Sequence, residues 1–186
     1  MNVKVKQIKT DFVGTTLPRD HSIRGRVFED VLAQKGNPVS KGQGCDYPKH
    51  GLEVKTKDVD STSANSVGAM TWENIKVTPW DMSPIAEKIK QQYRVKVKKG
   101  IIVSTKVYDF SPAFIQEKLR EAYETARAKI IKGDKSNYIA GTKFGYFERK
   151  KGKNGKETNS WAFRIPVGSM ETLERMAKSN YTTLFE

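Results

Sequence analysis

The sequence holds one cysteine, Cys45, and two histidines, His21 and His50, in 186 residues. A single cysteine excludes a disulfide framework and any cysteine-rich zinc site. A zinc site built on the histidines would need carboxylates to complete its ligand set. No apolar run approaches the roughly 20 residues that a membrane-spanning helix needs, so no membrane partner is expected. The opening segment, MNVKVKQIKTDF, is basic but lacks the apolar stretch of a secretory signal. A cytoplasmic setting is the expectation. Internal repeats and low-complexity segments are missing too, which sets repeat arrays aside.

Acidic residues are also in short supply. Asp and Glu number 21 against 34 Lys and Arg, for a formal net charge of +13 and a pI near 9.7. Such a field attracts polyanions, nucleic acid being the commonest, and that binding weakens as salt rises. A basic protein that is merely soluble is the plainer alternative. Hydrophobic residues at 37%, with three Trp, eight Phe and seven Tyr, are enough for a core and argue against global disorder. The length suits one domain, or one domain with a small appended lobe. We read residues 1–186 as a single domain with its core over about 23–135, and a C-terminal hairpin and helix over about 140–180 packed on it.

Apolar and polar periodicity predicts a mixed α/β chain with helices flanking a sheet. A short strand is expected at Val3–Ile8. Ile23, Val27, Val31 and Leu32 recur at helical spacing over Arg24–Gln34, and Gly36-Asn37-Pro38 stops that run. Ser40–Gly44 reads as a Gly-rich loop. Gly51–Lys57 alternates as a strand does, and Val67–Val77, with Trp72, is taken as a second strand. Ser83-Pro84 predicts a helix start, with Ile85 and Ile89 carrying the helix towards Tyr93. Ile101–Val107 is a strand. Ser111-Pro112 starts a helix that runs to about Lys132 and ends at Gly133. Asn154-Gly155 marks a hairpin turn between strands at Lys143–Lys150 and Ser160–Pro166. A last helix spans about Ser169–Lys178.

The chemistry concentrates between Asp46 and Lys55. On a strand, Glu53 and Lys55 point to one face while Leu52 and Val54 point to the other. If Leu52 and Val54 enter the core, the carboxylate and the ammonium project together. Asp46 precedes Glu53 by seven residues, across a turn with Pro48 and Gly51, a spacing that can return a second carboxylate to the first. Two carboxylates suit Mg²⁺, a hard cation that prefers oxygen. A neighbouring ammonium can orient an attacking water and stabilise charge on a phosphate. A solvated amphipathic strand is the plain alternative for the Glu-x-Lys pair taken alone.

This order of a helix with Glu29, a loop, Asp46 and then Glu53-Val54-Lys55 resembles the PD-(D/E)XK nucleases. The nearest pattern is that of the MutH mismatch-repair nicking endonucleases. They share the Asp-to-Glu spacing, the Gly before an apolar-Glu-apolar-Lys-Thr strand, here Gly51 and Leu52–Thr56, and an upstream helix glutamate. The likeness covers about Arg24–Lys57, and Cys45 stands where the general motif has proline. It implies a restriction-endonuclease-like core, a central mixed sheet between helices. It also implies Mg²⁺ held by Asp46, Glu53 and the Val54 carbonyl, with Lys55 positioning the water. Glu29 would support a second metal or hold Lys55, against the alternative of an ordinary exposed helix glutamate. Asp30 competes for that role from another side of the helix. The family carries a further lysine on a later helix; Lys88 and Lys90 are alternatives for it between which the register does not decide, and neither is carried over. Over its whole length the chain is similar to the small catalytic subunit of heterodimeric type IIS restriction endonucleases. That likeness implies double-stranded DNA as substrate and a large DNA-reading subunit as partner. An autonomous MutH-like nicking enzyme and a non-catalytic basic binder of nucleic acid are the competing readings.

Outside this segment, Lys88–Lys99 and Arg149–Lys156 are rich in cations that can neutralise phosphates or simply be solvated. Cys45 reads as a small buried residue, His50 as exposed or close to the metal, and Trp72, Trp80 and Trp161 as core or interface residues rather than base-stacking platforms.

Overall fold

The computed structural model describes residues 11–41 and 44–183, the last five by backbone alone. The strand expected at Val3–Ile8 lies outside the described residues, as does part of the loop at Ser40–Gly44. In chain order the elements are α1 (His21–Gln34), β1 (Leu52–Asp58), β2 (Asn65–Met70), α2 (Trp72–Val77), α3 (Pro84–Lys88), β3 (Gln91–Lys98) and β4 (Ile101–Asp109). There follow α4 (Ala113–Ile131), β5 (Tyr138–Thr142), β6 (Gly145–Lys151), β7 (Glu157–Ile165) and α5 (Val167–Thr183). The chain is mixed α/β, as its periodicity predicts. Its described strands form two sheets, one of three strands and one of four. Among the described residues no helix is long and apolar enough to cross a membrane.

Two compact units emerge. One comprises the described residues up to Ser61 together with Gln91–Tyr108; the other comprises Thr62–Lys90 and the chain from Asp109. The residues expected to share one core, about 23–135, are thus divided between them.

In the first unit the strand order is β1-β3-β4, with β1 parallel to β3 from Leu52 opposite Gln91 to Asp58 opposite Val97. Lys99 and Gly100 join β3 to β4 with φ of 49° and 81°, the positive values that a tight type I′ turn requires at both positions. Tyr93, Val95 and Val97 alternate into a core with Leu52, Ile102, Phe12 and Leu17, and Phe28 and Leu32 of α1 cover it. The rings of Phe12 and Phe28 meet edge to face at 5.5 Å. Each such side chain, fully buried, contributes about 1.5–3 kcal/mol. Asp20 caps α1 by accepting the Ser22 N–H at 2.8 Å.

The buried face of α1 differs from the expected one. It is Arg24, Phe28 and Leu32, whereas Ile23 is exposed and Val27 and Val31 lie at the margin. Arg24 is buried because its guanidinium donates to Asp58, 34 residues away, at 2.9 Å.

In the second unit β2-β7-β6-β5 is an antiparallel sheet, and α4 packs on β5 and β6. Tyr123 of α4 meets Trp80, Phe147 and Phe163 at ring separations of 5.5–6.0 Å. Gly145 is required here: a Cβ on it would come within 2.2 Å of the Phe163 ring. Trp72, Trp80 and Trp161 are core residues, as expected.

Three element assignments are corrected. The strand expected over Val67–Val77 stops at Met70, because Thr71 caps a new helix by accepting the Asn74 N–H at 3.2 Å. The helix expected to reach Tyr93 ends at Lys88, and Gln91 opens β3. Ser111 does not cap α4; its hydroxyl donates to Asp109, and Pro112 holds the cap position.

Candidate active site

All the residues of the Asp46–Lys55 constellation belong to the first unit. The loop between them is closed by its own backbone. Tyr47 and Leu52 exchange hydrogen bonds at 2.9 and 3.3 Å, forming an antiparallel bridge across Pro48–Gly51. A single turn fills that loop, and Gly51, at φ 59°, returns the chain into β1. The residues flanking the bridge are then Asp46 and Glu53, and their side chains interlock. Asp46 N–H donates to Glu53 Oε2 at 3.3 Å, and Val54 N–H donates to Asp46 Oδ2 at 2.7 Å.

Leu52 enters the core and Val54 packs at its edge, so Glu53 and Lys55 share the outer face of β1. Lys55 Nζ donates to Glu53 Oε1 at 2.6 Å. Glu53 is only 2% exposed, whereas the Lys55 side chain is 30% exposed. The lysine therefore carries the charge of the pair towards solvent while the carboxylate is fixed behind it.

Glu29, half-buried on α1, belongs to the same electrostatic neighbourhood. Burial raises its pKa first, and the charges of Asp46, Asp30 and Glu53 raise it further, against an opposing pull from Lys55. Asp30 is exposed. Tyr47 feels the same field: burial and then the Asp46 charge push its hydroxyl up to about 12.

The neighbouring strand adds Gln92, which sequence reasoning missed, and Arg94, which it singled out only as one cation of the Lys88–Lys99 stretch. Register sets Gln92 beside Glu53 and Arg94 beside Lys55. Arg94 is 8% exposed and donates from Nε and a terminal nitrogen to Gln92 Oε1 at 2.9 and 2.6 Å. Burial lowers its pKa to about 10, opposed by the charges of Tyr108 and Glu53. The available signal was the alternation Tyr93-x-Val95-x-Val97, which marks Gln92 and Arg94 as outward positions once β3 is recognised as a strand.

Among the described residues no three His, Cys, Asp or Glu side chains gather closely enough to hold a metal ion by themselves. The donor set still fits Mg²⁺, which takes one or two carboxylates and completes its shell with water and substrate phosphate. Asp46 and Glu53 are hard oxygen donors, each held by a backbone N–H beside the other, and their charges add to burial, the larger cause, in raising the pKa of Glu29. A Val54 backbone oxygen would complete the protein's share. Beside Asp46 opens a cavity of about 410 Å³, walled by Val39, Tyr47, Pro48, Lys49 and half-buried His50 among others. Cys45 is buried. Lys88 closes α3 and Lys90 follows it, both in the second unit.

No family model matches the chain, and no curated protein matches it in sequence.

Proposed function

We propose that the protein is a Mg²⁺-dependent DNA endonuclease of the PD-(D/E)XK type. The observation that carries this reading is the interlock of Asp46, Glu53 and Lys55, with Lys55 Nζ 2.6 Å from Glu53 Oε1 and Asp46 N–H on Glu53 Oε2. Such a cluster costs a fold stability unless a ligand uses it: two carboxylates are tied to neighbouring stretches of backbone, one of them buried, with the charge of a third felt nearby. The net charge of +13 supports a polyanionic substrate.

In this reading Asp46 and Glu53 hold the ion. A bound Mg²⁺ supplies Lewis acidity, which lowers the pKa of water and neutralises charge on the phosphate. Lys55 Nζ, anchored by Glu53, orients the attacking water and stabilises the charge that grows on the non-bridging phosphate oxygens. An oxygen–phosphorus bond forms as the bond to the departing sugar oxygen breaks. Glu53 keeps the ammonium of Lys55 in place throughout, and Glu29 contributes negative potential behind the site.

Resemblance over the chain extends the proposal to the small catalytic subunit of a heterodimeric type IIS restriction endonuclease, cutting one strand only with its large DNA-reading partner. The test is cleavage of supercoiled plasmid with Mg²⁺ by wild type and Glu53→Ala, each alone and with a candidate large subunit. Cutting by the wild type only with the partner, and a nick where Glu53→Ala replaces it, is the expected result. Site-specific nicking by the wild type alone points instead to a MutH-like enzyme. No Glu53-dependent cutting under any condition leaves a basic nucleic-acid-binding protein.

A further inference from the structure

The β6–β7 hairpin outruns the sheet that carries it. β2 pairs with β7 only as far as Met70 opposite Trp161. β5 pairs with β6 only as far as Tyr138 opposite Glu148, with one further bond from Arg149 N–H to the Asn137 carbonyl. β6 and β7 go on pairing with each other to Lys151 opposite Glu157. At about 3.3 Å per residue, β6 rises roughly 10 Å past its last β5 partner before the turn begins. The root of this arm is fixed. The Arg149 guanidinium lies 4.5 Å over the buried Trp161 ring and is bonded to Glu157. The Thr158 hydroxyl donates to the Lys150 carbonyl at 2.6 Å. The tip is closed by its own backbone: Gly152 N–H donates to the Lys156 carbonyl at 2.7 Å, and Asn154 and Gly155 turn the chain at φ of 60° and 73°. On this frame Lys150, Lys151, Lys153 and Lys156 are all exposed. The acid of the hairpin, Glu157, is taken by Arg149, and among the described residues none of the four lysines enters an ion pair. Lysines on open strands guard against edge-to-edge aggregation. Lys153 and Lys156, however, stand on the turn, where no strand edge needs guarding.

We propose that the β6–β7 hairpin is a DNA-binding arm, whose Lys150, Lys151, Lys153 and Lys156 neutralise backbone phosphates of a duplex. A two-stranded ribbon is narrow enough to enter the major groove, and lysines at its tip then meet the phosphates that border the groove. Point-like ammonium groups suit a backbone contact that carries no sequence information. The fixed root holds the charges out from the sheet, so they gather on a ligand without the arm having to fold first. The choice of DNA as the polyanion rests on the nuclease reading, whereas the geometry of the arm involves none of Asp46, Glu53 and Lys55.

The test is the salt dependence of binding. The full chain is titrated, without divalent metal, against a short fluorescent DNA duplex over a series of KCl concentrations. Each phosphate neutralised contributes about 0.9 to the slope of log affinity against log salt. Lys150→Gln/Lys151→Gln/Lys153→Gln/Lys156→Gln is expected to lower that slope by roughly 3–4. A control, Lys35→Gln/Lys98→Gln/Lys99→Gln/Lys132→Gln, removes the same charge from exposed positions off the arm and is expected to lower it far less. The four arm lysines changed to arginine keep the wild-type slope. A fall no larger than the control's overturns the arm. A second measurement needs no variant: acetic anhydride labelling of the wild type, read by mass spectrometry. Bound duplex is expected to slow labelling of the four arm lysines severalfold and to leave Lys35 and Lys132 unchanged. Equal labelling of the arm with and without duplex overturns it. Plasmid cleavage by wild type and Glu53→Gln separates the two readings. Glu53-dependent cutting with an unchanged slope sinks the arm alone. A lowered slope without such cutting keeps the arm and sinks the nuclease.

Discussion

Asp46 and Glu53 position each other through the backbone: Glu53 Oε2 accepts the Asp46 N–H at 3.3 Å, while Asp46 Oδ2 accepts the next N–H along, that of Val54, at 2.7 Å. The carboxylates are thus held in place by β1 and its entry turn, and they need no ligand to bring them together. Replacing either one can therefore separate charge from architecture.

Asp46→Asn retains an oxygen that can accept the Val54 N–H and removes only the charge. Its melting midpoint is expected to stay within a few degrees of wild type while Mg²⁺-dependent cutting falls by on the order of 100-fold or more. Asp46→Ala also strips the Val54 N–H of its acceptor, at a cost of about 1 kcal/mol. Thermal melts and plasmid cleavage on both variants check this. An asparagine variant that cuts as well as wild type removes Asp46 from the site.

Glu53→Gln is nearly isosteric and remains able to accept hydrogen bonds. It loses the charge that anchors Lys55, so cutting is expected to drop by about 1000-fold. Removing one of three mutually repelling carboxylates also relieves Glu29, so chemical denaturation should show no large loss of stability. A variant that is inactive because it is unfolded, by circular dichroism, would leave the catalytic assignment unsupported.

Glu29 gives a signature in pH. Its pKa is raised in the folded chain, so between its ordinary value of 4.5 and the raised value the folded state binds more protons than the unfolded state. Stability contributed by the protonated form is fully present below pH 4.5 and is lost as pH rises through the folded pKa. Glu29→Gln should match wild type in urea unfolding at pH 4 and exceed it at pH 7. Equal stability at both pH values would show that Glu29 lies outside the field of Asp46 and Glu53.

Much of this site is legible in the sequence because a strand has period two. Leu52 must go inward, and Glu53 and Lys55 must then go outward together, whatever else the chain does. The return of Asp46 is also legible, since Pro48 and Gly51 allow a short closed turn. The second strand was hidden by a competing local signal. Ser83-Pro84 starts a helix, and the apolar spacing of Ile85 and Ile89 suggests that the helix continues through Gln91-Gln92-Tyr93. Only pairing with β1, a contact over nearly forty residues, makes that segment β3 and brings Arg94 to Lys55. The face of α1 was misjudged for the same reason. Arg24 is buried by an ion pair with Asp58, and no property of the helix alone announces it.

Gly51 tests whether the turn itself sets the spacing of the carboxylates. At φ 59° it occupies the left-handed region, where an alanine costs about 1–2 kcal/mol and asparagine less. Its N–H donates to the Pro48 carbonyl at 3.2 Å, and the Tyr47–Leu52 bridge closes over it. A strained residue here relaxes by opening that bridge, which moves Asp46 away from Glu53. Stability and Mg²⁺-dependent cutting are both expected to fall in the order Gly51, Gly51→Asn, Gly51→Ala, with the melting midpoint of the alanine variant lower by roughly 2–8 °C. Cutting is expected to fall further than stability, because misplacing one catalytic group by about 1 Å can cost on the order of 100-fold in rate. If Gly51→Ala melts lower but cuts like wild type, the interlock of Asp46 with Glu53 survives without the turn, and the spacing is set by β1 alone.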